Sequence, residues 1–319
     1  MQFTYRNPER STDAGCIVPN AKSIIVAAQA YKGEDCKASQ AGVGKVAKYS
    51  QQDNYRLVRG KLALVVEVLV ANGWNAKIVC DDNALVDREA AYRAGIGWYG
   101  KNSMLLIPRR GSWFVIGSVI TDAPLVAASQ QVKDGCGKCT RCIDACPTGA
   151  IIRPGVVDAN RCLAWLLQAK GSFPLAYRDA LGNRIYGCDE CQEVCPPNRA
   201  ATMRERSSNG QGSGQSIGER NGLVAPSDNN SQGSITWVDL VEILESSDEE
   251  LLDRFGRWYI PGRQARYLRR NALVALGNIG DLTSPRLRQA ILNEMASNDE
   301  MIREHACWAF DKLSRTWDS

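Results

Sequence analysis

The chain of 319 residues contains a single histidine, His305. One imidazole cannot build a multi-histidine metal site, and it leaves no histidine for a nucleophile triad elsewhere in the chain. His305 lies in the C-terminal helical stretch, far in sequence from every other candidate group, and reads as a surface or packing residue. Long apolar runs are missing as well. The longest, Leu62 to Ala71, is interrupted by Glu67 and reaches about half of the ~20 residues that a membrane helix needs. Met1 to Gly15 is polar and lacks the apolar core of a secretory signal. A formal net charge of +4 is too small to announce a nucleic-acid binder. With 44% hydrophobic and 23% charged residues the composition is that of a folded globular protein, and the length suits roughly two domains of about 150 residues. A reducing, cytoplasmic location without a membrane partner is the expectation.

Cysteine is what the chain has in excess: twelve residues, eight of them between Cys136 and Cys195. In a reducing compartment, clustered cysteines point to metal binding or redox chemistry rather than to structural disulfides. Cys136-x2-Cys139-x2-Cys142-x3-Cys146-Pro147 is the bacterial ferredoxin run, in which three thiolates surround one 4Fe-4S cube and the fourth ligates a second. A structural zinc would usually take four ligands in two pairs. Cys188-x2-Cys191-x3-Cys195-Pro196 repeats the end of that run, with Ile185 where its first cysteine would stand; Cys162 supplies the eighth thiol. By the ferredoxin crossing rule the sets are Cys136, Cys139, Cys142 and Cys195 for one cluster, and Cys162, Cys188, Cys191 and Cys146 for the other. Cys16, Cys36, Cys80 and Cys307 are isolated and read as small buried hydrophobes. Two adjacent clusters form a wire, and a wire requires a second cofactor or a partner at its end.

The periodicity predicts an α+β architecture. Ser23 to Ala28, Ala76 to Val79, Ser103 to Ile107 and Trp113 to Ile120 read as strands. Tyr55 to Ala71 reads as an amphipathic helix, and Asp87 to Ala94 as a short one entered from the Asp81-Asp82-Asn83 turn. The expected units are residues 1–130, a cysteine-rich domain over 131–200, a flexible linker over 201–234, and a helical domain over 235–319. Within the last unit, Ala272 to Leu276 and Ala306 to Phe310 form a weak echo at 34 residues, the pattern of a HEAT-like helical pair. Two signals mislead. Gly95-x-Gly97-x-x-Gly100 follows a helix and precedes a strand, the reverse of a dinucleotide site. Gly42-x-Gly44-Lys45 lacks the first glycine and the hydroxyl residue of a phosphate loop. Arg266, Arg269 and Arg270 share one face of a predicted helix, either as a solvated face or as a phosphate-tracking stripe. Asp81 and Asp82 end a predicted strand, as caps or as a proton donor whose pKa burial would raise.

Asp81-Asp82-Asn83-Ala84-Leu85-Val86-Asp87-Arg88-Glu89-Ala90-Ala91, Arg93-Ala94-Gly95-Ile96-Gly97-Trp98-Tyr99-Gly100-Lys101-Asn102, Gly111-Ser112-Trp113-Phe114, the double cysteine run and Gly182 to Asp189 together resemble the epoxyqueuosine reductase family. The resemblance is strong from about residue 15 to 200 and loose in the tail. It implies a cobalamin domain on a nitroreductase-like scaffold, a ferredoxin-like double 4Fe-4S module and a HEAT-like C-terminal domain. The implied activity is reduction of epoxyqueuosine to queuosine at the wobble base of tRNA. A ferredoxin-type electron carrier, or a corrinoid iron-sulfur reductase of the reductive dehalogenase kind acting on a small molecule, is the alternative. By resemblance Asp81 is the proton donor and a cobalamin contact, with Asp82 as its alternative. Lys101, Ser103, Met104, Leu105, Ala164, Asp189 and Gly44 would also face the cofactor, and Arg266, Arg269 and Arg270 would contact the tRNA anticodon stem-loop. An external donor such as a flavodoxin or ferredoxin system, and a monomeric state, are the further expectations. The chain is short at its N-terminus relative to the family. Asp53-Asn54-Tyr55 replaces the Asp-Tyr-His of many members, which marks a divergent branch.

Overall fold

The computed structural model describes residues 7–31, 33, 41–128, 130–209 and 234–317. Cys36 and residues 210–233 of the expected linker lie outside the described residues. The start of that expected linker is not coil, because residues 201–209 continue the helix Pro196–Asn209.

The first half is built on a three-stranded sheet whose central strand, Phe114–Thr121, pairs antiparallel with Ser23–Ala30 on one side and Ala76–Val79 on the other. Alternation along the central strand places Val115 and Val119 on one face and Ile116 and Ile120 on the other, since successive side chains of a strand point to opposite faces. The helix Asn54–Ala71 covers the first face with Val58, Leu62 and Leu69. Asp53 caps it by accepting the Arg56 N–H at 2.9 Å. The helix approaches so closely at Gly117 that a Cβ there would meet Leu62 at 2.8 Å. The helix Asp87–Arg93 and Leu105 cover the other face through Ala91 and Ile116. The sequence reading of Ser103 to Ile107 as a strand shrinks to Leu105–Leu106, paired with Trp98–Tyr99 in a short hairpin. Gly97 is required there, because a Cβ would sit 2.2 Å from the Leu106 carbonyl oxygen. That contact gives the glycines a packing role in place of a nucleotide-binding one.

A second three-stranded sheet joins the distant parts of the chain. Val43–Val46 pairs antiparallel with Trp237–Asp239 from the tail and parallel with Arg184–Tyr186 from the cysteine-rich segment. Ile185, which occupies the place of the absent cysteine, is fully buried in the largest apolar core with Val46, Val238, Leu240, Phe255, Leu273 and Leu276. The tail continues through helices Leu240–Glu245, Asp248–Arg254, Arg266–Ile279, Pro285–Met295 and Glu300–Trp317. The second of these starts on a capping box formed by Ser247 and Glu250. The two echo segments lie on Arg266–Ile279 and Glu300–Trp317, which approach closely at Gly277. No helix among the described residues is long and apolar enough to cross a membrane.

The arginine stripe does not share one environment. Arg270 is 0% exposed. Its guanidinium donates to the carbonyls of Leu166, Leu167, Ala169 and Gly171 and to Asn271 Oδ1, at 2.6–3.2 Å. A buried guanidinium must find acceptors for its donors, and these are carbonyls at and just beyond the C-terminal end of the short helix Leu163–Leu166. Arg270 is therefore a bolt between tail and cysteine-rich segment, and the expectation that it contacts tRNA is corrected. Arg269 is engaged by Asp248 and the Ser246 carbonyl, whereas Arg266, bonded to Asp299 at 2.9 Å, remains 40% exposed. His305 is fully buried in the same interface. Its Nε2 accepts the Phe173 N–H at 3.0 Å, and its Nδ1 lies 2.7 Å from the Met301 carbonyl, which assigns the proton to Nδ1. Arg178, also buried, donates to the Phe173 carbonyl and to Glu304.

Two predictions follow from this interface. Arg270→Met removes the guanidinium donor from four carbonyls, of which those of Leu166 and Leu167 keep a second donor, and is expected to cost about 3 kcal/mol in urea unfolding; a loss below about 1 kcal/mol contradicts the bolt. Burial first, then the neighbouring Arg178, lowers the His305 pKa to about 4 from 6.5. Its contribution to stability is thus present above pH 6.5 and lost as pH falls toward 4, because the unfolded chain takes up the proton first. The difference in melting temperature between wild type and His305→Gln should shrink across that window, and a constant difference refutes the assignment.

Candidate active site

The cysteine-rich segment wraps short turns around its sulfurs. Cys139 N–H bonds the Cys136 carbonyl, Cys142 lies in the one-turn helix Arg141–Asp144, Cys162 caps Leu163–Leu166, and Cys191 lies in Glu190–Glu193. Burial, and then the charges of Cys136 and Cys139, push the Cys142 thiol up. Cys195 is pushed up to about 11 by burial and by Cys136, Cys142 and Cys139, against an opposing Asn198 N–H. These four thiols form one group. Burial raises Cys188 to about 11, with Arg184 opposing and Cys162 adding, and burial with Cys188 and Cys162 raises Cys191 further. These three form a second group, and Cys191 also feels Cys142, so the groups adjoin. Cys146 differs from the others. Burial pushes it up, but N–H groups of Ile151, Thr148 and Ala150 outweigh that and lower it, the Ala150 N–H reaching its sulfur at 3.2 Å. Backbone donors aimed at a sulfur are what an anionic thiolate requires. Among the described residues no three His, Cys, Asp or Glu side chains converge on a single-ion site.

Asp81 stands at the end of the strand Ala76–Val79 in a left-handed conformation, with φ of 52°. It is solvent-exposed by surface area, yet enough protein lies around it to disfavour its charged form. That crowding raises its pKa, with Arg59 opposing and Asp82 adding. Among the described residues no hydrogen bond holds the Asp81 carboxyl. Asp82, by contrast, caps the Ala84 N–H at 2.8 Å and pairs with Arg10 at 3.4 Å, so the capping role falls to Asp82. Asp87 lies beside them; burial first, then the charge of Asp81, raises it to about 7, and its Oδ1 is buried without a partner.

The residues expected to face a cofactor divide. Lys101 is committed to the carbonyls of Gly137 and Cys139 at 2.7 and 2.9 Å, so its ammonium steadies the loop between two cysteines instead of reaching a ligand. Leu105 is 2% exposed within the core under the first sheet. Gly44 lies beneath the tail, where a Cβ would meet Leu240 at 2.5 Å. In this structure Leu105 and Gly44 are covered by protein, and the Lys101 ammonium is engaged by two carbonyls. Asp189 is 3% exposed, accepts the Lys48 N–H at 2.6 Å, and is raised to about 6 by burial against that hydrogen bond. Ser103, with φ of 60°, bonds the Gly155 carbonyl at 2.8 Å. Met104 and Ala164, the latter two residues after Cys162, are half-buried. Of the isolated cysteines, Cys80 is buried and reaches the Ile116 carbonyl at 3.4 Å, whereas Cys16 is exposed and departs from the reading as a buried hydrophobe.

Tyrosines were not singled out by spacing, and they connect the two sides. Tyr55 and Tyr186 feel the charge of Asp81, Tyr49 feels Tyr186 and Asp189, and Tyr31 feels Asp189 and Cys191; burial raises all four. Tyr49 and Tyr186 lie 6.2 Å apart by ring centroid. Four segments contribute these rings, so no local pattern could have revealed the set.

Residues 135–198 match the 4Fe-4S double cluster binding domain family. Epoxyqueuosine reductase of Bacillus cereus is 33% identical over 319 residues, covering 98% of this chain and 78% of that protein. The enzyme of the same name from Bacillus subtilis is 31% identical, covering 98% and 76%. A crystal structure of epoxyqueuosine reductase with an epoxyqueuosine-modified tRNA-Tyr stem loop superposes with a TM-score of 0.78 at 31% identity, over 96% of this chain and 77% of that one. The Bacillus subtilis structure with its catalytic aspartate loop swung out of the active site gives 0.77 at 30% identity, over the same shares.

The grouping of thiols predicts a selective lesion. Cys195→Ser should remove about half of the iron and sulfide from the anaerobically reconstituted protein and leave one 4Fe-4S signal. Full iron content, or loss of all of it with the fold intact by circular dichroism, contradicts the two groups.

Proposed function

Because the chain belongs to the epoxyqueuosine reductase family, we propose that it reduces epoxyqueuosine to queuosine at the wobble position of tRNA, with Asp81 as proton donor. The chain is thus an oxidoreductase acting on RNA, in the last step of queuosine formation. The net reaction takes two electrons and two protons: the epoxide carbon–oxygen bonds break, an alkene forms, and the oxygen leaves as water. The observation that carries the assignment is the Asp81 carboxyl, its pKa raised by its surroundings and, among the described residues, held by no hydrogen bond, while the neighbouring Asp82 takes the capping role. An electron carrier has no use for such a group.

Two 4Fe-4S clusters, when bound, supply electrons singly, and cobalamin, when bound, supplies a cobalt centre that delivers them to carbon. Cys136, Cys139, Cys142 and Cys195 would hold one cluster, and Cys162, Cys188, Cys191 and Cys146 the other. The backbone donors around Cys146 and the Asn102 side chain at Cys191 favour the charged sulfurs that this requires. Ser103, Met104 and Ala164 would face the corrin on a nitroreductase-like scaffold, and Asp189 would brace that wall through Lys48. The donor set fits a corrin without a protein imidazole, since both nitrogens of the sole histidine are engaged in the tail interface. The protein around Asp81, and Asp82 beside it, favour the protonated carboxyl, and Arg59 opposes them, which is the direction a proton donor needs. Asp87, at about 7, is placed to limit repulsion by sharing negative charge with Asp81 only above neutrality. The tail is read as HEAT-like, with exposed Arg266 toward the RNA phosphates and Arg269 behind it. An external flavodoxin or ferredoxin system would feed a cytoplasmic monomer.

The test is turnover of an epoxyqueuosine-containing anticodon stem-loop by the reconstituted full chain, followed by nucleoside mass spectrometry. Wild type should yield queuosine. Asp81→Asn should keep its iron and lose about 10²-fold or more in rate. An unchanged rate removes Asp81 from the chemistry, and absence of product from a cluster-loaded wild type overturns the function.

A further inference from the structure

The tail loop between the helices Asp248–Arg254 and Arg266–Ile279 is pinned at three successive residues, two of them to the first domain and one to the cysteine-rich segment. The Arg257 guanidinium donates to the Gln51 carbonyl at 2.8 Å, Trp258 Nε1 to the Ser50 carbonyl at 3.1 Å, and the Tyr259 N–H to the Tyr186 hydroxyl at 2.8 Å. Trp258 is stacked on Tyr186 at 4.5 Å and on Phe255 at 4.6 Å. Trp258 and Ile260 are each 4% exposed, whereas Tyr259 between them is 62% exposed. The backbone is held on both sides, so the exposed ring is a fixed feature of a rigid loop.

Tyr186, which receives the Tyr259 N–H, also feels the charge of Asp81, so the loop that carries the exposed ring packs on a tyrosine of the Asp81 region. Arg263 is exposed on the same loop and tied back to the Gly256 carbonyl at 2.6 Å, and Arg266 follows one turn later, partly exposed. A rigid aromatic face flanked by arginines is the arrangement on which unpaired nucleobases stack while phosphates are neutralised.

We propose that Tyr259 is a specificity-determining residue that stacks an unpaired nucleobase of the RNA substrate next to the modified one. It positions the RNA and takes no part in proton or electron transfer. The proposal rests on the reading of the substrate as tRNA.

The experiment compares wild type, Tyr259→Ala, Tyr259→Phe and Tyr259→Trp as full-length, cluster-loaded proteins. Binding of a fluorescein-labelled anticodon stem-loop is measured by anisotropy across a salt series, alongside kcat and KM. Tyr259→Ala should weaken binding and raise KM by roughly five- to a hundredfold, with kcat at saturating RNA retained. Phe and Trp should restore both, and the salt slope should stay constant because no charge is removed. Wild-type affinity in Tyr259→Ala overturns the proposal. So does a loss of turnover with affinity unchanged, which would assign the ring to a protein electron donor or to the site itself. If wild type binds no stem-loop at any salt concentration, the RNA reading itself falls and this proposal with it.

Discussion

Desolvation of clustered sulfurs, with their mutual repulsion added to it, is the constraint around which the molecule is arranged. Cys142, Cys188, Cys191 and Cys195 are all driven toward the protonated form by burial and by neighbouring thiols. Such a concentration of ionisable groups is stable as thiolate only with iron to neutralise it, or with donors aimed at each sulfur. The chain provides the donors locally, from one-turn helices and the amides after Cys146, and it provides enclosure from a distance. Lys101 ties the Cys136–Cys139 turn to the first domain, Asn102 reaches Cys191, and Arg270 holds the carbonyls that follow the Cys162 helix. Each of these side chains comes from outside the cysteine-rich segment.

The tail is accordingly part of the redox module. One strand of the tail closes a sheet with strands from the first domain and from the cysteine-rich segment, and Ile185 buries itself at their junction. The same apolar core continues through Trp258 to the loop that presents Tyr259. Contacts that position the thiols and contacts that present an aromatic ring near Asp81 therefore belong to one packed body. Substrate engagement and electron delivery can then share one geometry without a moving hinge.

The sequence was most legible where chemistry is local. The ferredoxin spacing is read directly because a loop must wrap one object, and the strands and the long helix of the first domain follow from apolar period and an aspartate cap at Asp53. The pair Asp81-Asp82 could not be divided from the sequence, whereas the structure shows Asp82 capping Ala84. What was illegible depends on contacts across the chain. Arg270 looks like its exposed neighbours by helical period, yet only tertiary packing brings four carbonyls to it. Gly44 and Leu105 have the composition of a ligand wall and are covered by Leu240 and Ala91 instead. The four tyrosines come from four separate segments, and a basic stripe cannot be told from a structural clamp until its acceptors are known.

The central claim is that two thiol groups adjoin through Cys142 and Cys191 and carry two interacting clusters toward Asp81. The most direct measurement is electron paramagnetic resonance of the fully reduced, reconstituted full chain. The account predicts a signal broadened and split by magnetic interaction between two reduced 4Fe-4S clusters, collapsing to one simple signal in Cys195→Ser. Two independent, unsplit signals, or a single cluster in wild type, would contradict it.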